Sequence, residues 1–321
     1  MKERFLPLNI ALLLPDHPLL EEDFYLKVGD RFVLLRKKDI PLTPERINRW
    51  KEVGVKSIYL RAEARNAYLL HLYNQMEETL RSNAQQEEKA KLIYGVSEFV
   101  TERIIEDLSE EVVRLAKDFV GECLKHLREQ PDLLHLVIRN MSHDFLNQVH
   151  SNNVFFLATG LALFLGMEKS EVEKVSLGAL FHDLGKTKLD PQILKKPGRL
   201  DPYEWTEVKR HPLWGKELLK SQAKGLPEEV VRMALEHHES KDGTGYPLRL
   251  FGEEIHPYSM MVKICDVFEA LCGIRPYREA LPPFKALLFM KEGMIHKFDR
   301  ELFKAFVTFL GPEYYNKLLK K

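Results

Sequence analysis

The chain has 321 residues, 45% hydrophobic and 30% charged, a balance that suits a globular protein and excludes a mostly disordered one. Lys+Arg and Asp+Glu both number 48, so no global positive field draws the protein onto DNA, RNA or anionic lipid. At roughly 150 residues per domain the length suggests about two domains.

The opening MKERFLPLNIALLLPDHP lacks the form of a signal peptide, because its apolar run Ile10–Leu14 ends at Pro15. Val154–Met167 is the longest apolar stretch and falls short of the roughly 18 residues a membrane span needs. Cys123, Cys265 and Cys272 form no CxxC pair, which points to structural thiols in a reducing cytoplasm.

Residues 1–73 carry the strand signals. Asn9–Leu14, Phe24–Val28, Phe32–Arg36 and Lys56–Leu60 are short and rich in aliphatic or aromatic residues, and Gly29-Asp30 reads as a hairpin turn. Thr43-Pro44 has the form of a helix start, with Thr43 as N-cap and a helix running to Val53 before a left-handed stop at Gly54. The expectation is a small α+β module.

Residues 74–140 read as a helical connector. A polar stretch is followed by Leu92, Val96, Phe99, Val100, Ile104, Leu108, Val112, Leu115 and Phe119 at helical spacing. A coiled-coil stalk that supports a homodimer is one form this could take, although the heptad is not sustained. From 141 onward the pattern is almost wholly helical, broken by loops at Asp190–Pro202 and Lys241–Pro257 and closed by helices around Phe284–Phe298 and Arg300–Leu310. The expected fold is mainly α, with a helical-bundle domain over 141–321.

The chemistry-bearing residues lie in that last region. His182-Asp183 follows the apolar run Val175–Phe181, where a helix ends, and Gly185 is placed to act as a left-handed stop. An isolated His-Asp is more often a hydrogen-bonded core pair than a ligand. Here, however, His150, His211, His237-His238 and Asp266 are also set in apolar helical stretches. Five histidines and two aspartates in such settings are hard to satisfy by ordinary hydrogen bonding, and a shared metal cluster satisfies all of them. His143-Asp144 is a second His-Asp, and His17, His71, His126, His135, His256 and His296 lack acidic or imidazole neighbours of this kind.

Taken in order, His150, the HDLGK at 182–186, His211-Pro212, HHESKDGTGYP at 237–247, and Asp266 followed by RPYR at 275–278 resemble the HD-GYP domain family over about residues 141–310. These are bacterial metal-dependent phosphodiesterases that typically act on cyclic di-GMP. The resemblance implies that His150, His182, Asp183 and Asp266 ligate one metal and His211, His237 and His238 a second, with Asp183 bridging. The ligand set holds no thiolate, so two divalent ions are expected, iron first and manganese as the alternative. Leu146 stands where some members carry a glutamate for a third metal. The resemblance also implies that Lys186 faces the scissile phosphate and that Tyr246, Arg275 and Arg278 line the substrate groove, whereas the residues alone allow Lys186 to serve only as a helix-end cation. The implied product is linear pGpG, or GMP after a second cut. A catalytically weak scaffold that binds a nucleotide or a protein partner through the same groove is the alternative, and a nucleotide phosphohydrolase is a third. The module at 1–73 is expected to be regulatory or to bind signalling proteins.

Overall fold

The computed structural model describes residues 5–10, 22–55, 57–61, 65–139, 141, 147–194, 196, 198–273 and 279–311, without the side chains of 6–9, 65–71 and 147–148. The chain divides into two compact units, Met1–Phe99 and Val100–Lys321.

In the first unit, β1 (Phe5–Asn9), β2 (Phe24–Val28), β3 (Arg31–Arg36) and β4 (Ser57–Arg61) form an antiparallel sheet in the order β1-β4-β2-β3. The hairpin between β2 and β3 turns at Gly29-Asp30, as expected. The first strand lies earlier than the Asn9–Leu14 expected. It is an edge strand, where Pro7 is tolerated, and the apolar run that suggested a strand continues beyond its end; residues 11–14 lie outside the described residues. Helix α1 (Pro44–Glu52) begins as expected: the Thr43 hydroxyl accepts from the Arg46 amide at 3.4 Å, and Gly54 ends the turn at φ +83°. Helix α2 (Arg65–Arg81) follows, and α3 (Gln86–Glu106) runs across the division between the units.

The second unit is helical. Helices α4 (Glu110–Glu129), α5 (Pro131–Arg139), α6 (Asn147–Phe164), α7 (Lys169–Phe181), α10 (His211–Gln222), α11 (Glu228–Glu236) and α12 (Pro257–Cys272) make its body. The shorter α8 (Pro191–Leu194) and α9 (Pro202–Val208) lie between α7 and α10, and α13 (Pro283–Met294) and α14 (Arg300–Leu310) follow. Helix α6 packs on α7 and α12, and α11 packs on α7, α10 and α12. The described side chains of α6 from Val149 to Ala162 are all buried, the pattern of a helix surrounded by others. Helix α4 packs on α5 and α7, and a break at Asp107–Ser109 separates it from α3, so residues 110–129 build this core rather than continue a stalk.

Capping fixes the loops around the site. Asp201 and Glu204 exchange side-chain and backbone hydrogen bonds at the start of α9, at 2.9 and 2.7 Å. The Asp299 carboxylate accepts from two amides of α14 and pairs with Lys241 at 2.5 Å, which ties the loop after His238 to that helix.

Candidate metal centre

Each candidate ligand sits at a helix end or on a buried helix face. His150 is in the first turns of α6, His182 caps α7 with Asp183 next, His211 opens α10, His237 caps α11 with His238 following, and Asp266 is in the middle of α12. His182, His211 and His237 are fully buried, His150 and both aspartates are buried, and His238 is partly exposed.

Gly185 explains how α10 reaches the His-Asp pair. It is not a left-handed helix stop: Leu184–Lys188 continues as a 3₁₀ segment, and positive φ does not occur there. A β-carbon at Gly185 would instead lie 1.9 Å from the His211 carbonyl oxygen and 2.6 Å from the Gly215 nitrogen. Glycine is required because two backbones touch, and that contact carries His211 to Asp183.

Three imidazoles are oriented by their own backbone. The Nδ1–H groups of His182, His211 and His237 donate to the carbonyls of Ala179 (2.7 Å), Val208 (2.7 Å) and Ala234 (3.0 Å). A carbonyl can only accept, so each ring turns a bare Nε2 inward. His150 is oriented differently. Its Nδ1 faces the Glu269 carboxylate, whose other oxygen accepts from Asn153 at 3.1 Å.

These groups form two clusters, Asp183/His211/His237/His238 and His150/His182/Asp266, with the ligand atoms of each within 4.8 Å of one another. Asp183 stands at their junction. Its Oδ1 faces His211 Nε2 (3.2 Å) and His237 Nε2 (3.6 Å), whereas its Oδ2 faces His150 Nε2 (3.4 Å) and His182 Nε2 (3.5 Å). Asp266 lies 3.1 Å from His150 and 3.6 Å from His238. Lys186 Nζ pairs with Asp183 Oδ2.

The donor set fits divalent cations. His182 Nε2 and Asp183 Oδ1 are buried without a hydrogen-bond partner. The Nε2 atoms of His211 and His237 are 3.1 Å apart, and with both Nδ1 atoms protonated, two lone pairs face each other there. Such a contact is repulsive unless positive charge lies beside it.

The electrostatics of the metal-free cluster agree. Burial works to raise the Asp183 and Asp266 carboxyls but is outweighed, chiefly by the Lys186 charge at the first and by the hydrogen bond from His150 at the second, so both stay well below the usual range. Burial lowers His237 to about 4 and also lowers His238, which keeps both neutral. Burial would lower His150 too, yet Glu269 and Asp266 raise it to about 9.

Beyond the ligands, the Tyr246 ring stacks on His238 (4.7 Å between centroids, 28°), and Trp205 meets Tyr246 at 6.3 Å and 76°. Burial, with Asp266 and Asp183, raises the Tyr246 phenol, which stays protonated. The loop that carries Tyr246 is held by Glu239, whose carboxylate accepts from the amides of Leu248 (2.6 Å), Arg249 (3.1 Å) and Leu250 (3.0 Å). In that loop Gly243 has φ +75°, whereas a β-carbon at Gly245 would lie 2.3 Å from the Ser240 nitrogen.

The seven expected ligands, Lys186 and Tyr246 therefore converge. Arg275, Arg278, His143, Asp144 and Leu146 lie outside the described residues. Sequence reasoning missed Glu269, Asn153 and Trp205. The first two follow Asp266 and His150 by three residues, the spacing that shares a helix face, and that spacing was the available signal.

Residues 130–302, just over half of the chain, match the HD domain family model. A cyclic di-GMP phosphodiesterase of Pseudomonas aeruginosa, PA4108, is 35% identical over 61% of this chain and 47% of its own length. The 3′3′-cGAMP-specific phosphodiesterase 3 of Vibrio cholerae is 36% identical over 53% of this chain and 37% of its own length. The chain thus spans less than half the length of these curated relatives. The HDG"Y"P protein Bd1817 of Bdellovibrio bacteriovorus shares the fold over 99% of this chain and all of its own, with a TM-score of 0.75 at 20% identity. No described helix is long and apolar enough to cross a membrane. The chain belongs to the HD domain family, a family of metal-dependent hydrolases, and its HD, HH and GYP motifs put it in the HD-GYP branch.

Proposed function

We propose that this chain hydrolyses a phosphodiester bond of a cyclic dinucleotide, with cyclic di-GMP the first candidate and 3′3′-cyclic GMP-AMP the second. The observation that carries the reading is the split of Asp183, one oxygen toward each of two imidazole clusters. One divalent ion would be held by His150, His182, Asp183 and Asp266, and another by His211, His237, His238 and Asp183. Iron is preferred and manganese is the alternative, since the donors are imidazole and carboxylate only. Bound there, the ions would supply an activated water and charge neutralisation at the phosphate.

The chain's own groups do the rest. Asp183 stays ionised at neutral pH and His237 and His238 stay neutral, so these three need no proton transfer before ligation. The Lys186 ammonium, beside Asp183, is placed to meet charge that builds on a phosphate oxygen. The Tyr246 phenol keeps its proton and can donate to a second phosphate oxygen. Arg275 and Arg278 are assigned to hold the substrate. The names of the relatives support the substrate class. The same reading puts the protein in the cytoplasm, on its three unpaired buried cysteines, gives residues 1–73 a regulatory or partner-binding role, and assigns a part in homodimer formation to the connector before residue 107, since residues 110–129 belong to the core.

Anaerobically purified, metal-loaded protein should convert a cyclic dinucleotide to linear pGpG or its GMP-AMP counterpart and leave deoxynucleoside triphosphates intact. Loaded protein that cleaves no cyclic dinucleotide overturns the reading, and hydrolysis of triphosphates alone would replace it with a phosphohydrolase.

A further inference from the structure

Trp205 is a large apolar side chain left 47% exposed beside the metal centre. It sits on α9, six residues before His211. Its ring is the outer member of a short aromatic series: His238 stacks on Tyr246, and Tyr246 meets the indole at 6.3 Å. The inner end of that series belongs to the candidate metal cluster and the outer end is open to solvent. The reciprocal Asp201–Glu204 cap fixes the helix that carries Trp205, and the three-amide grip of Glu239 fixes the loop that carries Tyr246. The indole is therefore presented by two anchored segments.

An indole held at the rim of a phosphate-binding centre suits one chemistry well. A nucleotide bound by its phosphate must place its base nearby, and every base has a flat π-face that stacks on an aromatic ring. A phosphodiester without a base would gain nothing from the arrangement. We propose that Trp205 is a stacking platform for one purine base of the substrate, with Tyr246 setting its orientation. The proposal rests on the cyclic dinucleotide reading and adds the residue that recognises the base.

The test uses two measurements on the full, manganese-loaded chain. In a Trp50→Phe/Trp214→Phe background, Trp205 is the remaining tryptophan. Titration with GMP should quench its fluorescence, and titration with inorganic phosphate should not. In kinetics, Trp205→Leu should raise KM for cyclic di-GMP about five- to hundredfold with kcat within about twofold, and Trp205→Phe should recover most of the loss. A purely structural role for the indole would lower the melting temperature and metal content and give no base-dependent quenching. If wild-type protein cleaves cyclic di-GMP while Trp205→Leu keeps the wild-type KM, the stacking proposal fails and the phosphodiesterase reading stands. If wild-type protein neither cleaves a cyclic dinucleotide nor shows quenching by GMP, both fail.

Discussion

The His150 imidazole turns Nδ1 to the Glu269 carboxylate and Nε2 to Asp183 and Asp266. The other three buried rings of the centre are oriented by backbone carbonyls, which carry no net charge. Among the described residues of the centre, His150 alone has a carboxylate behind it, and a carboxylate both fixes the tautomer and strengthens the opposite nitrogen as a donor.

Glu269→Gln should therefore weaken metal binding at the His150 side about ten- to hundredfold, measured by chelator competition, and leave the His211/His237/His238 side nearly unchanged. Equal weakening on both sides would show that Glu269 supports the fold in general. Asn153→Ala removes one hydrogen bond that the Glu269 carboxylate accepts and leaves the carboxylate itself in place, so it should cost less.

Gly185→Ala tests the backbone contact between the 3₁₀ segment and α10. The added carbon meets a carbonyl oxygen, not the tip of a flexible side chain, so relief requires α10 to move. Overpacking typically costs about 1–3 kcal/mol, and a backbone obstacle places this change toward the upper end. Metal should be lost first from the cluster that holds His211. A variant that melts like wild type with both metals bound would mean that the two segments are not in contact.

Much of the centre was legible in the sequence, because ligands in apolar helices stand out by type and order. His182-Asp183 and His237-His238 could be placed at helix ends from the apolar runs before them, and both are there. Gly185 was misread because a glycine after a helix suggests a left-handed cap, and no local signal distinguishes that from a close approach by a helix more than twenty residues away. The first strand was misplaced for a similar reason: a run of apolar residues marks burial, and register depends on the partner strand. Trp205 was passed over because its meaning lies in its distance to Tyr246, which no spacing in the chain reveals.

Lys186 separates catalysis from metal binding. Its ammonium touches Asp183, and an ammonium has no lone pair to offer a metal. Lys186→Ala should retain both metals and lower kcat about a hundred- to a thousandfold, the scale expected when one charge-stabilising donor is removed. Lys186→Arg should recover part of the rate. Unchanged kcat would leave Lys186 as a counter-ion of Asp183 alone.

The last prediction concerns pH in the metal-free protein. His237 is lowered to about 4 by burial, and His238 is lowered too. His237 faces Asp183, His182 and His211, and His238 faces Asp266, Asp183, His211 and His237. In the unfolded chain both titrate near 6.5, so between about pH 6.5 and 4 the unfolded state binds more protons than the folded one. Stability should therefore fall as pH is lowered through that window. His150 has the opposite sign. It is raised to about 9 in the folded state, so its contribution is complete below about 6.5 and is lost as pH rises through 9. Lys263, lowered to about 8 by burial, partly offsets that loss, since a depressed lysine adds stability as pH rises from about 8 to 10.5. Melting curves of chelator-stripped protein should pass through a maximum near neutral pH, with the acid limb flattened in His237→Gln and the alkaline limb flattened in His150→Gln. Metal should suppress the acid limb until pH is low enough for protons to displace it, because bound imidazoles cannot take up a proton. An acid limb of unchanged slope in His237→Gln would place the proton uptake elsewhere in the chain.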